Sequence, residues 1–375
     1  MVRSLQFIQD RIADGDHAIL PMQTKLLEII DNRLRKAETN TLQDRHNFHA
    51  VLIYAMSGGN PATIANVASR VDIPEEDRKL AAGILSYLLG DVAQARAAMD
   101  AIDPNSHPAN VAAFLWLVKG SVAAGEDSQA GLAMLDKARL VSPGTLVEEA
   151  ALRRIVTLAA ASHNVARFAA ASEQYARRFL RSPYAAEFAA SLVTGIVALR
   201  PHGLQVDQIG HATAWMSREQ ARTIYLRLAR RSAIDGDTPL LDYASRMAEE
   251  LAGEGPDPSD TRGELYSTLS SVTTETVDDV LQKLTNLDPA RLSASDRALL
   301  DAAKLIATEV IAPVSYTPPP SPNPGAEADA DDEEIRVTEQ DPMPTWQAEP
   351  ATDPLVTSAR SKLEAIDKML EEDGR

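Results

Sequence analysis

Residues 103–143 read DPNSHPANVAAFLWLVKGSVAAGEDSQAGLAMLDKARLVSP, and the same plan starts again further on. Asp103-Pro104, Ser142-Pro143 and Ser182-Pro183 punctuate the chain at intervals of 39 and 40 residues. Between the first two prolines lie two segments of helical period, separated by the turn Gly125-Glu126-Asp127. Val111, Phe114, Leu115, Leu117 and Val118 mark the first; Gly131, Leu132, Leu135, Ala138 and Leu140 mark the second. Apolar residues three and four apart give a helix with one buried face. Proline cannot continue such a helix, so each one closes a pair.

A period near 40 built from helix pairs predicts an all-α fold, an α-solenoid of helical hairpins stacked face to face. The first pair resembles a tetratricopeptide repeat, with Trp116, Gly120, Gly131, Ala138 and Pro143 near that repeat's offsets. It departs by about one residue between the helices, and the next pair lacks the Trp, so the resemblance is to a degenerate repeat. Such units imply protein binding rather than chemistry.

Composition agrees. The 375 residues are 45% hydrophobic but only 5% aromatic, which suits closely packed helices more than sheets. A formal charge of −17 speaks against nucleic-acid binding. Without cysteine there is no disulfide or thiolate chemistry. No run reaches the roughly 18 apolar residues of a membrane span. Met1-Val2-Arg3-Ser4 leads straight into an amphipathic segment with no secretory leader. The expectation is therefore a cytoplasmic chain or a mature secreted form with an added Met.

In order, Leu5, Ile8 and Ile12 begin a helix that stops at Gly15; a second runs from Pro21 to Leu34 and a third from Asp44 to Met56. Asn60 and Pro61 read as an N-cap and a first helical residue. Turns follow at Asp72-Ile73-Pro74 and Gly90-Asp91. Beyond Pro183, helices are expected over 185–199, 205–215, 218–234 and 239–251, a loop over 253–258, and helices again over 260–311. Residues 1–311 thus form one helical repeat domain. Residues 312–354 hold ten prolines, ten acids and a single base, Arg336, and read as a disordered linker. Within 355–375, Leu363, Ile366 and Leu370 make a terminal amphipathic helix that must dock on the solenoid, a partner or another copy of the chain.

Candidate chemistry is sparse. His46 and His49 stand at i and i+3, but with no carboxylate or cysteine at ligand spacing they read as ordinary helix positions, and no metal or cofactor is expected. The run Asp329-Ala330-Asp331-Asp332-Glu333-Glu334 lacks the glycine hinge of a calcium loop and reads as a solvated tract. Trp116 and Trp215 read as core or inter-repeat anchors. Phosphate-binding, dinucleotide, nucleophile-elbow and zinc-protease motifs are absent, so no catalytic residue is assigned and no enzyme is expected.

Charge asymmetry is more informative. Residues 150–231 carry twelve arginines, no lysine and four acids, a local excess of eight positive charges in an acidic protein. Arg153, Arg154, Arg177, Arg178, Arg181, Arg218, Arg222, Arg230 and Arg231 are the candidate partner-binding or self-docking residues, since acids nearby in sequence are too few to pair them. Arginine also favours bidentate carboxylate contacts. The acidic segment 327–341 is a candidate to fold back on this face and compete with an acidic partner.

Several stretches resemble the MotC family of periplasmic motility proteins from rhizobial α-proteobacteria. They are Arg3-Ser4-Leu5-Gln6, Gln9-Asp10-Arg11-Ile12, Leu26-Leu27 to Arg33-Leu34, Leu52 through Asn60-Pro61, and Ser358-Ala359-Arg360-Ser361-Lys362-Leu363. No single motif is specific; the likeness is extended. It implies a secreted helical protein needed for flagellar rotation, associating with the stator protein MotB and influencing its proton channel. The implied location is the periplasm. The family contributes no catalytic residue. A generic repeat-type adaptor for envelope assembly or secretion is the alternative, and a helical peptidoglycan-acting hydrolase is more remote.

Overall fold

The computed structural model describes residues 1–253, 258–271 and 277–311, and among these the chain is all-α. The first fifteen helices are α1 (Val2–Ala13), α2 (Leu20–Lys36), α3 (Thr39–Gln43), α4 (Arg45–Met56), α5 (Pro61–Arg70), α6 (Glu75–Leu88), α7 (Val92–Asp100), α8 (Ala109–Ala123), α9 (Ser128–Val141), α10 (Leu146–Ala161), α11 (Val165–Phe179), α12 (Ala185–Leu199), α13 (Val206–Thr213), α14 (Arg218–Asp235) and α15 (Thr238–Glu250). They form one compact unit, residues 1–253. A second unit begins at residue 254, and its described helices are α16 (Pro258–Ser270), α17 (Val277–Asn286) and α18 (Ala294–Ile311). The acidic proline-rich tract and the terminal helix expected from sequence lie outside the described residues.

Helix starts follow local capping chemistry. The side chains of Asp44, Asn60, Asp91, Asp127, Thr145, Asn164, Ser217 and Asp237 each accept a hydrogen bond from a backbone N–H in the first turn of the helix that follows. Each satisfies one of the donors a helix start leaves without a partner. Gly236 ends α14 at φ +76°, a left-handed cap that glycine adopts without a Cβ penalty.

Successive helices pack as hairpins: α8 on α9, α10 on α11, α14 on α15. The quoted stretch is the first of these pairs. An added Cβ at Gly120 would lie 2.8 Å from Leu135 Cγ and 3.0 Å from Leu135 N, and one at Gly131 would lie 3.0 Å from Ala124 Cα. The two glycines therefore let the backbones of α8 and α9 approach closely. Trp116 and Ala138 are buried beside them. α8 is buried on nearly every side, as a helix at the centre of a core should be.

One packing relation crosses the unit. α1 touches α4 and α10 as well as α2. Gln9 Nε2 donates to the Ser57 carbonyl (2.9 Å), Asp10 Oδ1 accepts from Leu146 N (3.4 Å), and His17 Nε2 lies 2.5 Å from the Arg181 carbonyl. A stack of repeats that met only its neighbours would have no such contact.

In the second unit, α17 packs against α16 and α18 around Leu265, Leu284 and Leu300. Asp296 is buried there but well supplied, accepting from the Tyr266 hydroxyl and the Ser293 hydroxyl, each at 2.7 Å. Among the described residues no helix is long and apolar enough to cross a membrane.

Candidate protein-binding surface

The arginines of residues 150–231 divide by what they touch. Arg153 lies on α10, where its Nε donates to Glu149 Oε1 (3.2 Å) and an end nitrogen reaches Glu187 (2.6 Å). Arg178 on α11 donates to Glu148 Oε1 at 2.9 Å. Glu148 and Glu149 are both fully buried in the first turn of α10, where the helix dipole favours negative charge. Glu148 also accepts from Gly144 N and from Gln174 Nε2. Two buried carboxylates thus hold α10 to α11 through Arg178, Gln174 and Tyr175, and to α12 through Arg153.

Arg154 is likewise engaged, donating to the hydroxyls of Ser121 and Tyr87. Arg218 donates to the carbonyls of Glu250, Leu251 and Ala252 and so caps the end of α15. The buried Arg222 donates to the Ala248 carbonyl in the same helix. Arg231 pairs with Asp235 one turn on, and Arg230 is half-buried. The acids that meet the first arginines, Glu148 and Glu149, immediately precede the arginine-rich stretch 150–231. Asp136, which holds Arg167, lies further back still.

Two candidates remain turned outward. Arg177 is exposed, with its guanidinium over the ring of Trp215, 5.9 Å from the centroid. Trp215 itself is 49% exposed, so it is not the core anchor that its type suggests; it sits in the turn between α13 and the Ser217 cap of α14. Arg181 is 79% exposed and makes only a loose pair with an equally exposed Asp14 at 3.7 Å. An exposed tryptophan under an exposed arginine, as at Trp215 and Arg177, is the composition of binding hot spots. The sequence signalled the arginines, but not that Trp215 would be among them.

The histidines also fall differently. His46 is exposed, whereas His49 is buried, close to Asp77 of α6 and to His107 in the turn before α8. Burial holds the His49 imidazole below its ordinary pKa, against the opposing pull of Asp77. Spacing gave no hint of this group, because its members stand 28 and 30 residues apart on separate elements.

The stretch Leu52 through Pro61 is a tightly fitted corner. The Tyr54 hydroxyl accepts from Asn60 N (3.0 Å) and contacts Asp31 of α2 at 3.3 Å, while Asp31 also meets Thr63 and Arg35. A Cβ at Gly59 would fall 2.5 Å from the Tyr54 carbonyl oxygen. Glycine at 59 and tyrosine at 54 are fixed by geometry.

The sequence profile of the MotC family, described as "Chemotaxis protein MotC", matches residues 1–375. A protein of that description from Rhizobium meliloti (strain 1021) is 36% identical over 313 residues, covering 84% of this chain and 72% of its own length. No solved structure matches the chain. With a profile that spans every residue and a relative at this level of identity, the chain belongs to the MotC family.

Proposed function

We propose that this chain is a non-enzymatic periplasmic protein required for flagellar motor rotation. In this reading it binds the periplasmic part of the MotB stator protein and regulates the stator's proton channel. Family membership over the whole length carries the reading. Residues 1–311 act as a helical repeat domain, 312–354 as an acidic tether and 355–375 as a recognition helix. Stacked hairpins offer a broad, rigid face suited to a protein partner.

The contact is placed at Arg177, Arg181 and Trp215. Arg153, Arg154, Arg178, Arg218 and Arg222 serve mainly to hold helices together. The test is a pull-down of the full chain with the periplasmic domain of a MotB-type protein at increasing salt. Salt-sensitive capture lost in Arg177→Glu/Trp215→Ala, with helical circular dichroism intact, supports the reading. Capture that survives both changes moves the interface elsewhere.

A second reading, a tetratricopeptide-like adaptor for envelope assembly or secretion, is favoured by the close Gly120–Gly131 hairpin. A deletion strain distinguishes the two. Intact but non-rotating flagella support the stator reading; missing flagella or a leaky envelope support the adaptor.

A further inference from the structure

His49, Asp77 and His107 come from three elements: the middle of α4, the first turn of α6, and the turn between a 3₁₀ segment and α8. One ligand atom from each lies within 4.8 Å of the others. The residues are 7%, 1% and 7% exposed. His49 Nε2, both Asp77 oxygens and both His107 ring nitrogens are buried without a hydrogen-bond partner. Five such atoms in one place is unusual, because buried polar groups are ordinarily satisfied and an orphan costs about 1–3 kcal/mol.

Neighbouring charges satisfy the group only in part. Arg45 Nε stands 3.3 Å from Asp77 Oδ2, but Arg45 is half-exposed and leaves Oδ1 facing His49 Nε2 at 3.7 Å. The dipole of α6 explains why Glu75, Glu76 and Asp77 occur in its first turn. It does not explain why Asp77 is turned inward against two imidazoles, whose rings stand edge to face with centroids 5.7 Å apart.

We infer that His49, Asp77 and His107 form a binding site for a zinc-type divalent transition-metal ion. Two imidazoles and one carboxylate make a zinc ligand set. With metal–ligand bonds of about 2.0–2.2 Å, tetrahedral ligand atoms stand about 3.3 Å apart. The His49–Asp77 approach, 3.7 Å, is already near that, and separations of up to 4.8 Å would have to close on binding. Glu76 Oε1, 3.9 Å from His107 Nε2, is placed to fill a fourth position, and Arg45 also lies 3.8 Å from Glu76. The ion would tie α4, α6 and the start of α8 together, a link that neither sequence spacing nor the MotC description points to.

The test uses the untagged full chain, stripped with chelator and titrated with Zn²⁺ and Co²⁺. One tight equivalent of zinc is expected, with a rise in melting temperature of about 5–10 °C at a hundredfold excess over Kd. Co²⁺ should give a visible d–d spectrum free of thiolate bands, since the chain has no cysteine. Both signals should vanish in Asp77→Asn and in His107→Gln.

The competing location is the exposed, stacked pair His163 and His202, with ring centroids 3.7 Å apart. A His163→Ala/His202→Ala variant should bind zinc as the unaltered chain does. Loss of binding there, unchanged binding in the Asp77 and His107 variants, or no tight equivalent in the unaltered chain overturns the site. If the buried variants do not fold, a His17→Ala/His46→Ala/His163→Ala/His202→Ala/His211→Ala variant with intact helical circular dichroism decides the question, since His49 and His107 are then the remaining histidines: retained tight zinc binding supports the site and its loss overturns it.

Discussion

Tyr175 donates its phenolic hydrogen to Glu149 Oε1 across 2.8 Å, and both side chains are wholly buried between α10 and α11. Burial, reinforced by the neighbouring carboxylate, pushes the phenol far above its ordinary pKa, so it remains a donor at every working pH. The ring also stacks on Phe188 at a centroid distance of 4.0 Å. A single residue thus joins three consecutive helices.

Tyr175→Phe keeps that stack and removes only the hydroxyl. Glu149 then retains Arg153 as donor, with its other oxygen already unbonded. A buried charged acceptor that loses a donor costs about 1.5–3 kcal/mol, read as a lower urea midpoint at unchanged slope. An unchanged midpoint would show that Glu149 does not need the phenol.

Neighbouring arginines on α11 should separate cleanly. Arg178→Ala removes a charged donor from the buried Glu148 and is expected to cost about 1–3 kcal/mol. Arg177→Ala, at an exposed site, should stay within about 0.5 kcal/mol while weakening partner capture. Thermal melts and pull-downs on the two variants give the comparison, and equal stability losses would contradict it.

Gly120→Ala forces a methyl against Leu135 side chain and backbone, at an expected cost of about 1–3 kcal/mol. Gly125 has open space around it and no positive φ, so Gly125→Ala should be neutral or stabilising by up to about 1 kcal/mol. Denaturant melts of the pair test whether α8 and α9 meet as closely as described.

Asp10 has its pKa raised, chiefly by burial, with the Leu146 N–H pulling the other way. A raised carboxyl favours folding while protonated, so that stability is present below the ordinary value of 3.8 and fades as pH rises through the folded value. Asn, neutral throughout and still able to accept from Leu146 N, escapes the loss. Melting temperatures of Asp10→Asn and the unaltered chain should converge near pH 4 and diverge in favour of the variant towards pH 7. A constant gap would assign Asp10 no titration-linked role.

Removal of residues 312–375 tests the competition proposed for the acidic segment. Partner capture should strengthen at low salt and be unaffected at high salt, since exposed charges are screened beyond about 10 Å at 0.1 M. Equal capture at every ionic strength would discard self-docking.

Much of the helical layout was readable directly. The expected helix over 185–199 is α12, and Asn60-Pro61 opens α5 as its cap chemistry requires. These features depend on residues a few positions apart, where propensity and period act. The short α3 escaped because five residues carry too little periodicity. The arginine partners escaped for a different reason. Glu148 and Arg178 stand 30 residues apart, so a charge count over neighbouring sequence could not pair them. The inward turn of His49 and the outward turn of Trp215 are tertiary facts of the same kind.

The placement of α1 against α10 and the Arg181 turn orders events in time. Hairpins such as α8–α9 close over short loops and can form as soon as their own residues are available. The first helix finds its seat only after residues 136 and 164 positions further along have been made and folded, and bringing such distant segments together carries a larger entropic cost. These contacts of α1 and of the turn after it therefore form only after the chain up to Arg181 is available. Until then α1, which carries the buried Leu5, Ile8 and Ile12, has only its nearer neighbours α2 and α4 to pack against.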